Sequence, residues 1–333
     1  MNDSSDKPIE QEPGLNIKKA SEIAQSLRAE ISKAVIGQDQ VIDQVLIALF
    51  SAGHVLIEGV PGLGKTLLVR ALAQTFNGGF SRIQFTPDLM PSDITGHAMY
   101  DMKSESFRIR RGPVFTNLLL ADEINRAPAK TQAALLEVMQ EQQVTIEGKA
   151  MAFDLPFMTL ATQNPLEQEG TYPLPEAQLD RFLLKILIDY PGDSEEKNLV
   201  RTITAGKIGD SIDVGAVSAV VNSKAIVAIQ NIVAKLQIDQ RVSDYAVNIV
   251  RQTRNWPGIM VGAGPRGGLA LVRAARAAAL LNNNDFVTPD DIKSIALAAL
   301  RHRIILSPEM EIEGQSADTI LTALLDAVEA PRL

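Results

Sequence analysis

The fold of this chain is decided by the stretch Gly59-Val60-Pro61-Gly62-Leu63-Gly64-Lys65-Thr66. It fits the pattern G-x-x-x-x-G-K-[S/T], with an apolar run at residues 54–58 before it and a helix-like run from residue 65 onward. A strand, a glycine-rich loop and a helix in this order form a phosphate-binding loop, because backbone N–H groups and the positive helix end both face the anion. The alternative, a chance glycine-rich turn, is disfavoured by this context.

The residue types of this loop suit a nucleotide and its metal ion. Glycine lets the backbone curl around the β-phosphate, the lysine reaches the β- and γ-phosphates, and the threonine hydroxyl is a Mg²⁺ ligand. Ile36, in an apolar turn upstream, is a further candidate for packing on the base, with packing in the core as the alternative. Thr66 is the predicted metal ligand of the loop, and its predicted nucleotide contacts are Gly59, Pro61, Gly62, Gly64, Lys65, Thr66 and Leu67.

A second decisive stretch is the apolar run Leu118-Leu119-Leu120-Ala121, which is followed by Asp122 and Glu123. A strand that ends in two acids places both carboxylates at the edge of a parallel sheet where the phosphate loop also lies. There Asp122 would hold Mg²⁺ and Glu123 would polarise the attacking water. A strand followed by Asp-Glu is weak evidence alone, but it gains weight because Lys65 lies upstream.

Polar side chains at two later positions extend the candidate site. Asn164 follows a predicted strand at residues 157–162, where it would either orient the lytic water or cap the turn before Pro165. Arg266 lies near the start of a predicted Ala-rich helix, where the helix dipole disfavours a cation. An arginine in that position suggests a counter-anion, and an ordinary surface arginine is the alternative.

Composition restricts the class of protein. The chain has 333 residues, enough for two domains, and 46% hydrophobic residues, enough for substantial cores. No apolar run reaches the roughly 18 residues that cross a bilayer, and the polar start lacks a signal-peptide pattern. Zero cysteines exclude disulfides and thiolate metal sites, and three scattered histidines are a poor basis for a metal centre. We therefore expect a cytoplasmic protein without membrane insertion.

Strand and helix signals divide the chain near residue 191. Five buried strand patterns precede Pro191-Gly192, and helical patterns dominate after it. We predict a loose polar tail at residues 1–16, an α/β nucleotide-binding domain at residues 17–191 and an α-helical lid domain at residues 192–333. Within the first domain, residues 96–112 form a predicted exposed excursion and residues 143–153 a predicted hairpin. Thr288, followed by a proline and two acids, predicts the start of a lid helix.

The order of these motifs resembles that of AAA+ ATPases. Four segments, IQFTPDLMPSDITG at residues 83–96, DEINRA at 122–127, ATQNP at 161–165 and LPEAQLDRF at 174–182, resemble more specifically the MoxR family. The resemblance extends from about residue 20 to the C terminus. One departure is Gly264, where the family usually has a serine, and it concerns only the cap of the Arg266 helix. The resemblance implies an α/β fold, with a P-loop AAA+ parallel five-stranded sheet flanked by helices and then an all-α lid domain.

The resemblance also implies an activity and roles for single residues. It implies hydrolysis of ATP with Mg²⁺ by a homo-oligomer, a hexameric ring with its ATP sites between subunits. On that basis Asn164 senses the γ-phosphate, Arg181 is an arginine finger offered to a neighbour's ATP, and Arg266 is the lid-domain sensor, in its own subunit or the next. Family members look like chaperones that remodel or activate partner proteins, often ones with a von Willebrand factor A domain, and some aid metal insertion.

Two other function classes compete with a protein-remodelling motor. A nucleic-acid motor is the main alternative, because the helicase branch of AAA+ shares the excursion at residues 96–112 and the hairpin at residues 143–153. The net charge of −8 and the near-neutral hairpin tip Glu147-Gly148-Lys149 make nucleic acid the less favoured partner, although a ring can hold basic residues inside its pore. A non-hydrolysing scaffold is disfavoured because Asp122, Glu123, Asn164 and Arg181 are all present.

Overall fold

A computed structural model describes residues 15–60, 62–103, 105–164, 170–204 and 214–332. The predicted tail therefore lies outside the described residues, except for its last two positions. The helices before residue 191 are α1 (Ile17–Ser32), α2 (Asp39–Phe50), α3 (Lys65–Thr75), α4 (Pro91–Thr95), α5 (Ala129–Glu141) and α6 (Glu176–Leu179). The strands are β1 (Val55–Glu58), β2 (Phe80–Gln84), β3 (Gly96–Asp101), β4 (Ser106–Arg111), β5 (Leu118–Asp122), β6 (Gln143–Ile146), β7 (Lys149–Ala152), β8 (Met158–Gln163) and β9 (Leu184–Leu187).

Five of these strands form one parallel sheet, as the sequence predicts. Their order is β2-β5-β8-β1-β9, and every neighbouring pair runs parallel. The strand residues are largely buried apolar side chains, which is typical of a parallel sheet covered on both faces. Because the strands are parallel, the phosphate loop after β1, Asp122 at the end of β5 and Asn164 after β8 all lie at one edge.

Two antiparallel hairpins project from this framework. The predicted excursion is the β3–β4 hairpin, and the predicted hairpin that turns near Gly148 is β6–β7. Glu147 and Gly148 form the second turn, and both have positive φ, at 48° and 72°. The β3–β4 hairpin carries exposed apolar side chains, with Phe107 74% exposed and packed edge-on against Tyr100.

The described residues beyond 191 are mainly helical, which confirms the predicted class of the second part. Thr288 caps α11 as predicted, since its hydroxyl accepts from the Asp291 N–H and the Asp291 carboxylate accepts from the Thr288 N–H. Two pairs of very short strands were not predicted, because two or three residues give no periodic signal. In chain order the elements are α7 (Asp193–Thr204), α8 (Ser223–Ala234), β10 (Gln237–Ile238), α9 (Gln240–Thr253), β11 (Ile259–Val261), α10 (Pro265–Leu281), β12 (Phe286–Val287), α11 (Pro289–Leu300), β13 (Ile305–Leu306), α12 (Pro308–Ile312) and α13 (Ala317–Ala327).

We call the described residues from 193 onward the lid. The lid packs directly on α1 and α2, and one hydrophobic core includes residues of both parts. Polar bonds tie them together as well: Gln230 Nε2 donates to Leu49 O at 2.7 Å, and Arg273 Nη2 donates to Ser51 O at 2.6 Å. The predicted division at residue 191 stays a prediction, because the core is continuous across it. Within the described ranges, no helix is both long and apolar enough to span a membrane.

Candidate active site

The phosphate loop leaves β1 and leads into α3 at Lys65. Gly62 and Gly64 have φ values of 89° and 76°, in the region that favours glycine, and a Cβ at either position would meet no atom within 4 Å. These two glycines therefore give the curled backbone, and the space above them is open to a ligand. Gly59 has a different task, because a Cβ there would lie 2.5 Å from the carbonyl oxygen of Ile188, which follows β9. Pro61 lies outside the described residues.

A cleft of about 420 Å³ opens above this loop. It brings together most of the predicted nucleotide and metal residues with four that the sequence did not single out. The predicted residues that line it are Gly62, Gly64, Lys65, Thr66, Leu67, Asp122, Glu123 and Asn164, and the additional ones are Arg70, Arg82, Gln84 and Thr162.

Lys65 is half-buried in the cleft, and its Nζ donates to the Gly59 carbonyl oxygen at the start of the loop. Burial lowers the pKa of Lys65 below its usual value, while the carboxylates of Asp122, Glu123 and Glu58 act in the opposite direction. A bound polyphosphate would supply the negative charge that favours the ammonium form. The lysine therefore lies where it can contact phosphate groups.

The Asp122 carboxylate has a partner at each oxygen. Thr162 Oγ1 donates to Oδ1 at 2.6 Å, and Arg82 Nη2 donates to Oδ2 at 2.6 Å. Carboxylate and hydroxyl oxygens are the hard ligands that Mg²⁺ prefers, so Asp122 and Thr66 fit a magnesium ion that also binds the nucleotide's phosphates. The ion would neutralise charge on the phosphates during hydrolysis.

Glu123 has left-handed backbone geometry, with φ of 56°. Its N–H donates to Thr162 Oγ1 at 2.9 Å, so one threonine orients both acids. The Glu123 carboxylate accepts from Gln84 Nε2 at 2.7 Å and lies 3.1 Å from Arg126 Nη1. Its side chain is therefore held between β2 and the turn after β5. Asn164, at 7% exposure, lines the same cleft just beyond β8.

Three predicted site residues lie elsewhere. Ile36 is half-buried in the turn between α1 and α2 and does not line the described part of the cleft. Arg181 lies shortly before β9, separated from it by Phe182 and Leu183, and β9 starts level with the start of β1, since Val55 pairs with Leu184. Arg181 therefore lies at the sheet edge opposite the phosphate loop. Arg266 lines a second cavity of about 380 Å³ together with Arg181, so the structure groups these two arginines away from the loop of their own chain.

The sequence contains a weak signal for the two missed residues of β2. Arg82 and Gln84 alternate along β2, so they share one face of the strand, and Gln84 is in register with Asp122. A pair of polar residues at spacing two, beside the strand that ends in Asp-Glu, indicates a polar contact across the strands. The sequence alone does not show that β2 lies beside β5, and this strand order brings Arg82 and Gln84 to Asp122 and Glu123.

Comparisons with known proteins agree with this fold. The ATPase family associated with various cellular activities (AAA) matches residues 54–184, and an AAA lid domain matches residues 251–324. The uncharacterised protein YeaC of Bacillus subtilis is 44% identical over 301 residues, covering 90% of this chain and 92% of YeaC. The chaperone MoxR1 of Mycobacterium tuberculosis is 41% identical over 315 residues, covering 91% of this chain and 81% of MoxR1.

A solved structure gives the same result. A crystal structure of a candidate ATPase from Cytophaga hutchinsonii superposes with a TM-score of 0.87 at 42% identity, covering 95% of this chain and 97% of that one. A phosphate-loop cleft on a parallel sheet, with a helical lid, defines an AAA+ ATPase, an enzyme that hydrolyses ATP. The chain belongs to the MoxR family of these ATPases, whose members include chaperones by name.

Proposed function

We propose that this chain is an ATP-driven chaperone that works as a ring of identical subunits, a hexamer as the resemblance implies. The observation that carries the proposal is the position of Arg181 at the sheet edge opposite the phosphate loop of its own chain. An arginine there cannot reach its own ATP, but it can reach the ATP of a neighbour whose cleft faces it. Hydrolysis would then depend on assembly, because a finger arginine stabilises charge in the transition state.

We propose the remaining roles on the motifs and the family resemblance, supported by the position of these residues in one cleft. Lys65 would bind the β- and γ-phosphates, Thr66 and Asp122 would hold Mg²⁺, Glu123 would polarise the attacking water, and Asn164 would sense the γ-phosphate. Arg266 would act with Arg181 at the neighbour's ATP, which is supported by their shared cavity.

The client we propose is a protein with a von Willebrand factor A domain, on the strength of the MoxR relationship. The chaperone would remodel or activate this client, and it would also assist the insertion of a metal or cofactor into it. The β3–β4 hairpin supports a protein client, because its exposed Tyr100, Met102 and Phe107 present an apolar surface that a folded monomer seldom leaves open. We also propose a cytoplasmic location, where ATP is supplied, and a domain division near residue 191.

A nucleic-acid motor is the second candidate function, and the β3–β4 hairpin also supports it. Arg108, Arg110 and Arg111 accompany the aromatic side chains of β3 and β4, and arginine with stacked aromatics is a pattern that binds single strands. A fluorescent single-stranded DNA titration at two salt concentrations distinguishes the candidates. Tight, salt-sensitive binding that stimulates hydrolysis would favour nucleic acid over protein.

The test of the ring is the ATPase rate per subunit against protein concentration, measured beside the oligomer mass with ATP. We expect the rate to rise steeply as the oligomer forms. Arg181→Ala should still bind ATP and assemble, while hydrolysis falls at least about a hundredfold. Mixing it with Lys65→Ala should restore activity, because intact fingers then meet intact loops.

Arg241→Ala is the matched control, since Arg241 is an exposed lid arginine that pairs with Asp239. It should leave the rate unchanged. A flat rate from a monomer, or full activity of assembled Arg181→Ala, would remove the shared site from the mechanism.

A further inference from the structure

Arg303 is a buried arginine of the lid that bonds to the segment carrying Arg181. It follows α11, and only 4% of its side chain is exposed. Its Nε lies 2.8 Å from Asp180 Oδ1, and its Nη2 donates to Phe182 O at 2.7 Å. These partners are the residues directly before and after Arg181.

Further bonds from the same guanidinium complete this attachment. Nη2 also donates to Asp180 O at 3.2 Å, and Nη1 donates to Leu183 O at 3.2 Å and to Ala299 O in the last turn of α11. The planar guanidinium has five N–H donors in a fixed fork, so it can hold several acceptors in one relative position. The backbone at residues 180–183 is therefore fixed from the lid side, while the Arg181 side chain stays exposed.

Asp180 also contacts Arg266, the arginine that lines the second cavity together with Arg181. One of its oxygens faces Arg303, and the other, Oδ2, lies 3.6 Å from Arg266 Nη1. Asp180 is partly exposed, at 27%, and Arg266 is more exposed, at 57%. The carboxylate thus lies between a buried lid arginine and an exposed one, next to Arg181 in sequence.

The neighbouring lid residues bond to the same part of the core domain. His302 Nε2 lies 3.1 Å from Phe182 O, and Arg301 Nη1 donates to Lys185 O at 3.2 Å on β9. Residues 301–303 therefore bond to Asp180, Phe182, Leu183 and Lys185, on both sides of Arg181. A displacement of this part of the lid would displace the residues around Arg181 with it.

We propose that Arg303 is the positioning residue for Arg181: it couples the lid of one subunit to the finger that this subunit offers to its neighbour. The inference rests on the proposed role of Arg181 in a shared site. Through Arg303, the state of a subunit's own lid changes the geometry of the finger, so that one ATP site influences the next around the ring.

The test compares Arg303→Gln with Arg181→Ala in the full-length protein. Arg303→Gln should bind a fluorescent ATP analogue within about twofold of the unchanged protein, because its phosphate loop is intact. Its kcat in the assembled oligomer should fall at least about tenfold, in line with a finger that is present but misplaced. Arg303→Lys, which keeps the charge but not the fork, should recover only part of the rate.

Mixing experiments separate positioning from a general loss of structure. Arg303→Gln mixed with Lys65→Ala should regain activity, as Arg181→Ala does, because the lysine variant supplies a well-placed finger to an intact loop. A protein weakened throughout would bind the analogue poorly and would not be rescued. Arg276→Gln is the control, since Arg276 is a lid arginine that donates to Ala234 O inside the lid, and it should keep the full rate.

Asp180→Asn provides a second variant in case Arg303→Gln does not fold. It removes the charge shared by Arg303 and Arg266 while keeping the side-chain shape, and we expect a loss of about threefold to tenfold that mixing also rescues. Full activity of assembled Arg303→Gln or Asp180→Asn, with Arg181→Ala inactive, would overturn the positioning role. Full activity of Arg181→Ala would instead overturn the shared site on which the role depends.

Discussion

At the scale of single residues, the two acids at the C-terminal end of β5 are oriented by polar residues of the neighbouring strands β2 and β8. Asp122 is bonded by Arg82 and Thr162, and Glu123 by Gln84 and Thr162. The left-handed geometry of Glu123 costs roughly 1–2 kcal/mol for a residue with a Cβ, and its bond to Thr162 offsets part of that cost. A strained residue of this kind persists where the surroundings fix it, and such positions concentrate at functional sites.

Glu123→Gln tests the role of this carboxylate. The variant should bind ATP normally, because the phosphate loop is unchanged, while hydrolysis falls at least about a hundredfold through the loss of the carboxylate that we propose polarises the water. Single-turnover hydrolysis and binding of a fluorescent analogue give the two measurements. Glu147→Gln, at the exposed tip of the β6–β7 hairpin, is the matched control and should hydrolyse ATP at the original rate. Normal turnover by Glu123→Gln would exclude this residue from activating the water.

At the scale of elements, β1 is an inner strand that runs from the sheet edge where Arg181 lies to the sheet edge where the phosphate loop lies. It lies between β8 and β9, leads into the phosphate loop at one end and follows buried His54 at the other. His54 Nδ1 accepts from the Thr159 N–H at 3.0 Å, so Nε2 carries the proton and donates to Met139 O at 3.0 Å. One neutral imidazole thus joins β1, β8 and α5.

His54 makes the stability of the sheet depend on pH. Burial lowers its pKa from 6.5 to about 4, so between these values the unfolded chain binds the proton that the folded chain excludes. Stability is therefore complete above about pH 6.5 and decreases as the pH falls, by about 2 kcal/mol from this residue between pH 7 and pH 5. Urea unfolding at both pH values measures the difference.

In the variant His54→Asn, the difference in unfolding free energy between pH 7 and pH 5 should be smaller by about 2 kcal/mol. His97→Asn, on the exposed side of β3, should retain the full difference and serves as the control. Burial also lowers the pKa of His302, so part of the pH dependence should remain in both variants. An unchanged difference in His54→Asn would show that the imidazole is not excluded from protonation in the folded protein.

At the scale of the whole molecule, the lid and the α/β part share one hydrophobic core. Side chains of α1, α2 and α3 pack in the same core as those of α8, α9, α10 and α11. The Val220 N–H donates to Thr75 O at 2.7 Å, and Ser51 Oγ donates to Arg273 O at 3.1 Å, so the two parts are also joined by hydrogen bonds. A continuous core of this kind favours unfolding as one unit.

The single tryptophan makes this cooperativity measurable. Trp256 lies in the lid, packed against the shared core, and the rest of the chain contains no second tryptophan. We expect its fluorescence and the far-UV circular dichroism to change at the same denaturant midpoint in the absence of nucleotide. Leu46→Ala in α2 truncates a fully buried side chain and should lower the free energy of unfolding by about 2–5 kcal/mol. Both midpoints should therefore move to lower denaturant concentration together. A separate, earlier transition at Trp256 would contradict a shared core.

The sequence alone was sufficient for the local structure and its chemistry. The phosphate loop, the Asp122-Glu123 pair and the Thr288 cap are each written in a few consecutive residues, because glycine geometry, strand burial and helix capping act over short distances. For the same reason the strands predicted at residues 54–58, 118–121 and 157–162 and the hairpin predicted at residues 143–153 lie close to where their sequence patterns place them. The assignment of Asn164 and Arg181 needed a family resemblance, since single side chains carry no such pattern.

Only the tertiary structure decided which of these residues meet. Strand order brings Arg82 and Gln84 of β2 against Asp122 and Glu123, and the lid fold brings Arg303 to Asp180, at a sequence separation of 123 residues. The tertiary structure also places Arg266 away from the phosphate loop. It packs Gly59 so close to Ile188 that a side chain at position 59 would clash with the Ile188 carbonyl oxygen. Contacts of this kind depend on how elements pack, and packing sums many weak interactions over distant parts of the chain, so no short stretch of sequence specifies it.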